Sequence, residues 1–403
     1  MCSVARLFSQ AQCNKLLNAA IEAIRFHIVL CLEAQRKGVV IYMRERNYGI
    51  DFLRIVAMFM VVMVHVLGYG GIEDNYFGYA GSSFLSILAA PAVNLFALVS
   101  GYVGFSEQEK TKKRYARLLE LWCEVTFYCL VIQLVAIVLH IESLSATKLI
   151  KCFLPITFNA YWYFRAYIAA ILVAPVINSA VKSMGNQKII KLNLFLFLFL
   201  VFTVYGQTVS AINDVFQFNF GYSFAWIAYL FFVGASVKKT EFRIRKDAIV
   251  WVLMAAIGMA WAWSLLFHAM EWKAYERYWS TYSSPMIFAI AFCMLQIFER
   301  MTVPKSMQKR IAALGAVAFD VYLVHMHPVV YSHFWMKIPL LFLDGSPVVF
   351  QIFACLLIGM TIFAISAIIG FGRLSIFQLL GVRGKCEKLA NLINDKLNLK
   401  MYK

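Results

Sequence analysis

The apolar residues of this chain fall in long blocks, not in the strict alternation that marks a half-buried strand. Ten such blocks stand at Asp51 to Tyr69, Ser82 to Phe105, Leu118 to Leu139, Trp162 to Ala180, Ile189 to Val209, Tyr222 to Val237, Ile249 to Phe267, Ser283 to Phe298, Ile311 to Val330 and Val348 to Ile369. A helix that crosses a hydrocarbon core needs about 20 predominantly apolar residues, and the blocks cluster about that length. The pattern predicts an all-α fold, a polytopic membrane helix bundle with about ten transmembrane helices. Tyr222 to Val237 is short enough to be tilted or broken.

The polar segments between the blocks carry an orientation signal. Alternate segments on one side hold 31 of the 38 Lys and Arg residues, while the opposite loops hold only Lys148, Lys151, Lys273, Arg277 and Lys337. Arg54 and Arg165 sit inside blocks. A missed or invented span would break this alternation, so it predicts an even number of crossings with the basic side and both termini cytoplasmic. The expected location is the cell membrane.

Composition agrees with that reading. The 403 residues are 62% hydrophobic with a mean hydropathy of +0.71, more apolar surface than a soluble core requires. A net charge of +17 invites a nucleic-acid reading, yet only 15% of residues are charged, and the basic ones stand in short clusters between apolar blocks. That spacing suits a lipid surface and not nucleic acid. Nine cysteines without a CxxC pair indicate neither a zinc site nor a disulfide framework. Residues 1–42 read as an N-terminal extension: either Leu16 to Glu33 forms a helix lying on the membrane, or Met43 is the natural start. Glu22, Arg25 and His27 interrupt its apolar stretch, which argues against a cleavable signal peptide. Residues 43–372 form one membrane domain, and 373–403 a basic cytoplasmic tail.

The first block holds the sharpest chemical signal. Arg54 and His65 are eleven positions apart, about 1100° of helical rotation, which places them on one face roughly 16 Å apart along the axis. Asp51, three residues before Arg54, is placed to pair with it. A lone arginine in the bilayer costs at least about 2.5 to 3.5 kcal/mol, so such a residue usually faces a cavity, a partner or a substrate path. The plainer alternative is that Asp51 and Arg54 anchor one helix end by snorkelling and His65 caps the other. Arg114 and Arg117, one turn apart, are suited to clamp a phosphate, although positive-inside topology alone also places basic residues there. Trp162 and Arg165 open the fourth block; Asp320, Tyr322, His325, His327 and Pro328 close the ninth. His325 with His333 has no carboxylate or cysteine at ligand spacing, so no metal is expected. No phosphate-cradling glycine loop, nucleophile elbow or HExxH motif is present.

These residues resemble the acyltransferase 3 family, bacterial membrane proteins that O-acylate sugars and envelope polysaccharides. The likeness rests on Arg54-x10-His65 preceded by Arg46-Asn47 and Gly49-Ile50-Asp51, Ser100-Gly101-Tyr102 ending the second block, Arg114-x-x-Arg117, Trp-Tyr-Phe at 162–164, and Tyr322-Leu323-x-His325. It covers Arg46 to about Gly370. The resemblance implies transfer of an acyl group, commonly acetyl from acetyl-CoA, to a hydroxyl of an extracytoplasmic or lipid-linked glycan. It implies that Arg54 and His65 are essential and associates Arg114 and Arg117 with the acyl donor. Some members carry a further extracytoplasmic hydrolase-like domain, so a separate extracytoplasmic transferase is an expected partner where none is present.

The expected mechanism makes His65 a general base toward the acceptor hydroxyl or an acyl carrier, with Arg54 holding donor oxygen and Asp51 orienting it. Trp162, Arg165, Asp320, Tyr322, His325 and His327 are expected to line the outer end and bind the acceptor. The rival reading is a transporter or flippase for a glycan or small polar substrate, with the same polar residues as transport sites. Against it, the two halves of the chain show no matched pair of broken helices. A third reading, a scaffold in a glycan-synthesis complex, predicts that Arg54 and His65 are dispensable.

Overall fold

A computed structural model describes residues 46–69, 78–106, 111–157, 161–210, 217–272, 275, 278–334, 343 and 345–401. The N-terminal extension, and with it the proposed interfacial helix and Met43, lies outside the described residues. All regular structure among the described residues is helical. In chain order the helices are α1 (Tyr48–Gly68), α2 (Gly78–Ala89), α3 (Ala92–Gly104), α4 (Thr111–Val138), α5 (Ala146–Phe153), α6 (Trp162–Ser183), α7 (Asn186–Ser210), α8 (Phe224–Thr240), α9 (Lys246–Ala269), α10 (Pro285–Phe298), α11 (Lys305–Ala316), α12 (Ala318–His325), α13 (Pro328–His333), α14 (Val348–Leu379) and α15 (Val382–Met401).

Eight helical stretches are long and apolar enough to cross a membrane: Tyr48–Gly68, Gly78–Gly104, Tyr115–Val138, Trp162–Ser183, Asn186–Tyr205, Lys246–Ala269, Tyr278–Phe298 and Val348–Leu379. They coincide with eight of the ten apolar blocks. The other two take different forms. Phe224–Thr240 is a single helix of 17 residues whose 227–237 stretch is largely buried. The Ile311 block is divided among α11, α12 and α13, broken at Val317 and again before Pro328, whose ring has no N–H to continue the helix.

Local chemistry sets the starts. The Asn47 side chain accepts from the Ile50 N–H to cap α1, Ser223 caps α8 through Trp226, and Ser284 caps α10 directly before Pro285. Helix α1 runs through the centre, against α3, α10, α11, α12 and α14. The outer helices α7, α9 and α14 turn large apolar side chains outward, among them Phe195, Phe202, Trp251 and Val349. A surface so continuously apolar belongs in lipid, and the protein is a multi-pass membrane protein.

The tightest helix pair is α3 against α8. A Cβ on Gly101 would stand 2.1 Å from the Phe231 carbonyl oxygen, and one on Gly234 2.1 Å from that of Leu98. Only glycine permits this approach, as in the small-residue contacts of membrane bundles. Gly234→Val is expected to separate the pair and lower the detergent melting temperature, corresponding to about 1–3 kcal/mol; an unchanged melt would show that the helices part freely.

Candidate functional site

Tertiary packing gathers the basic helix ends at one end of the bundle. There the Asn47 amide donates to the Glu299 backbone carbonyl (2.8 Å), and the Tyr102 hydroxyl donates to the Glu299 carboxylate (2.8 Å). A cavity of about 620 Å³ opens at this basic end. Asp51, buried at its wall, holds two arginines: Arg46 Nε at 2.5 Å and Arg54 Nη1 at 3.1 Å. Arg54 thus borders the cavity with its guanidinium held by Asp51. Arg117, half-exposed, also borders it and pairs with Glu120 at 3.0 Å. The Arg114 side chain lies outside the described residues.

The wall of this cavity carries a charged cluster, formed by Glu124 and Arg373 with Asp320 and Tyr128 behind them, of which the sequence singles out only Asp320. Arg373 is 4% exposed; its Nε and Nη2 meet the two Asp320 oxygens at 2.8 and 2.6 Å, and Nη2 also meets Glu124 at 2.5 Å. The Tyr128 hydroxyl donates to Asp320 at 2.6 Å. The close approach of α14 to α12 that permits this depends on Gly370, where a Cβ would stand 2.8 Å from the Asp320 Cβ. Glu124, an acid within an apolar block, was the available signal. The apolar block ends at Ile369 and leaves Arg373 in the tail, whereas the helix continues to Leu379.

Beyond this cavity lies a constriction of about 40 Å³, lined by Met58, Val61, Ala92, Val93, Trp162 and Tyr322 among others. Phe96 and Tyr163 border both the cavity and the constriction. A third space of about 310 Å³ follows toward the far end, and Val64, His65, Trp162 and Tyr282 border both it and the constriction. His65 therefore stands where a wide space toward the far end meets the narrow passage. Around it, Tyr69 stacks on the imidazole at 5.4 Å between ring centres, and Trp162, Tyr222 and Tyr282 form an aromatic cluster at 4.6 to 6.0 Å. Tyr282 is held by Asn94, whose amide donates to the Tyr282 carbonyl at 2.8 Å and accepts from Trp226 Nε1 at 2.9 Å.

His65 Nδ1 lies 2.9 Å from His325 Nε2, across 260 residues of sequence. Trp162 borders the constriction and the far-end space, and Tyr322 the constriction, while four residues stand elsewhere than at an outer acceptor site. Asp320 is fully buried and tied to Arg373 on the basic-end side. His325 is buried behind His65 and borders none of the three spaces. His327 is buried and caps α13, accepting from the Val329 N–H at 3.2 Å, because Pro328 leaves that turn in need of a cap. Arg165 is exposed on α6 and also borders none of the spaces. No group of three His, Cys, Asp or Glu residues arranged for a metal occurs among the described residues.

No curated protein and no solved structure matches the chain. A family model described as an acyltransferase domain, that of acyltransferase 3, matches residues 47–369. The matched span holds α1 to α13 and most of α14, and therefore Arg54, His65, Arg117 and the lining of all three spaces apart from Arg46, Arg373 and Leu374 of the first. The chain belongs to the acyltransferase 3 family and is an acyltransferase.

Proposed function

We propose that this protein moves an acetyl group from cytoplasmic acetyl-CoA to a hydroxyl of an extracytoplasmic or lipid-linked glycan, within the cell membrane. The observation that carries the reading is the series of three adjoining spaces, with His65 bordering the constriction and the far-end space. A donor on one side of a membrane and an acceptor on the other require a polar entry from each side and a narrow contact between them. Positive-inside topology puts the arginine-rich end in the cytoplasm, with both chain termini on that side. The two short or divided blocks, α8 and α11 to α13, then complete ten crossings.

In this reading the 620 Å³ cavity takes the donor. Arg54 and Arg117 bind its phosphates, with Arg114 beside them, because guanidinium groups pair with phosphate in bidentate fashion. Asp51 orients Arg54 through their ion pair. The acyl thioester reaches the constriction beside His65. The glycan enters the opposite space, where Trp162, Tyr222 and Tyr282 offer ring faces to the apolar faces of a sugar. His65 accepts the hydroxyl proton as general base while the oxygen attacks the thioester carbonyl. The new C–O bond forms, the C–S bond breaks, and the proton passes from His65 to the departing thiolate, giving the ester and free CoA.

The constriction supports acetyl over larger groups. At about 40 Å³ it is the narrowest of the three spaces, which favours a small acyl group. Val93→Ala is expected to raise transfer from butyryl-CoA relative to acetyl-CoA by roughly 10- to 200-fold, the usual worth of a methylene in such a pocket. Equal use of both donors before and after the change would move the acyl site elsewhere.

The reading as a whole is tested with radiolabelled acetyl-CoA and membranes that hold the protein and its native acceptor. Label in the carbohydrate fraction, absent without the protein, is the expected result. Uptake of CoA or glycan across the vesicle with no covalent label would favour the transporter reading instead.

A further inference from the structure

His325 occupies an unusual position: it is buried, it borders no ligand space, and it touches the imidazole on which acyl transfer is proposed to turn. Its Nδ1 lies 2.5 Å from the Val321 carbonyl oxygen, one turn back on α12. A carbonyl oxygen only accepts, so Nδ1 carries the proton, and in a neutral imidazole the opposite nitrogen then holds a lone pair. That opposite nitrogen, Nε2, is the atom 2.9 Å from His65 Nδ1. It accepts, so His65 Nδ1 must donate. The consequence is transmitted around the second ring: His65 Nε2 is left with the lone pair.

We infer that His325 is a positioning residue for acyl transfer, which uses the Val321 carbonyl to hold His65 in the tautomer whose Nε2 is basic. The inference rests on the acyl-transfer reading above and deepens it. Without the pair, a neutral imidazole is free to place its proton on either nitrogen, and in the wrong tautomer Nε2 cannot take a proton. Tyr69, stacked nearly parallel to the ring at 11°, and the contact with His325 together restrict its rotation. During transfer the hydroxyl proton moves to His65 Nε2 and the ring becomes an imidazolium. Its Nδ1–H bond to His325 then becomes charge-assisted and shorter, stabilising the charge while it exists. The Nε2 proton leaves with the thiolate, and His325 ends as it began.

The test compares His325→Leu, His325→Asn and His325→Gln with the unaltered chain in acetyl-CoA-dependent labelling, with melting temperature measured beside the kinetics. Gln is long enough for its amide NH2 to reach the Val321 carbonyl while its oxygen accepts from His65. Leu provides neither group, and Asn is too short to span both. The expected result is a kcat loss of roughly 10³–10⁴-fold for Leu and Asn, the scale of a histidine held in the wrong tautomer, with KM for acetyl-CoA within about threefold of the unaltered chain. Gln should recover most of the lost kcat. A raised KM at unchanged kcat would make His325 a substrate contact and overturn the inference, as would equal loss in Gln and Leu at matched melting temperature. Should Leu fail to fold, the Asn and Gln comparison decides the question alone. Absence of any acetyl transfer by the unaltered chain would instead overturn the proposed function, a result distinct from these.

Discussion

His65→Ala is expected to lower acetyl transfer by roughly 10²–10⁴-fold, the usual contribution of a general base, while leaving the melting temperature close to that of the unaltered protein. The ring borders both the constriction and the wide far-end space, so its loss enlarges an existing cavity and opens no new hole in a close-packed core. Its partner His325 keeps the Val321 carbonyl as a hydrogen-bond acceptor. Labelling of the native acceptor and a thermal melt in detergent, run on the same preparations, separate chemistry from stability. Full transfer by the alanine variant would remove His65 from the mechanism and with it the meaning given to the three adjoining spaces. The scaffold reading, in which both Arg54 and His65 are dispensable, makes that opposite forecast.

The largest stability effect is expected at Arg373. Arg373→Leu leaves Asp320 and Glu124 facing each other deep in the bundle with no cation between them, and one Glu124 oxygen already has no hydrogen-bond partner. Breaking one side of a buried ion pair costs about 3–5 kcal/mol, because the remaining charge is stranded away from water. The variant should melt far below the unaltered protein or fail to accumulate in the membrane. Replacing the partners as well, with Asp320→Leu and Glu124→Gln added to Arg373→Leu, should restore much of the lost stability, since a well-packed apolar group in place of a buried ion cluster is often neutral. A single Arg373→Leu variant that melts normally would show the cluster to be hydrated from the basic-end cavity and energetically unimportant. Activity adds a second readout: Arg373 and Glu124 border the cavity proposed to take the donor, so the restored triple variant is expected to bind acetyl-CoA more weakly than the unaltered chain even where it folds.

Several site residues were legible because their signals are local. The placement of Arg54 and His65 on one helical face follows from 3.6 residues per turn, and Asp51 meets Arg54 because residues three apart adjoin on a helix. Arg373 was hidden by the same kind of reasoning. An apolar run ends at the first polar residues, yet α14 continues through Arg373 because Asp320 and Glu124 wait for it on other helices. The errors at Asp320, His325 and His327 share a cause. Their positions in the ninth block indicate depth only on the assumption of one unbroken helix, and the breaks at Val317 and Pro328 redirect each side chain.

The sequence by itself determined that the chain is an all-helical membrane protein, where eight of its long apolar helices lie, and which arginine and histidine share the central helix. Those properties depend on runs of neighbouring residues, and hydrophobic length is a local quantity. The resemblance to the acyltransferase 3 family was likewise carried by short motifs readable in order. Only the tertiary structure decided which side chains from distant blocks meet: His65 with His325, Asp320 with Arg373, Asn94 with Tyr282. It alone decided that three spaces adjoin in series, two of them at one imidazole. Such meetings depend on how helices cross and how closely their backbones approach, through contacts such as Gly101 against Phe231, and no pattern along a single segment encodes that distance.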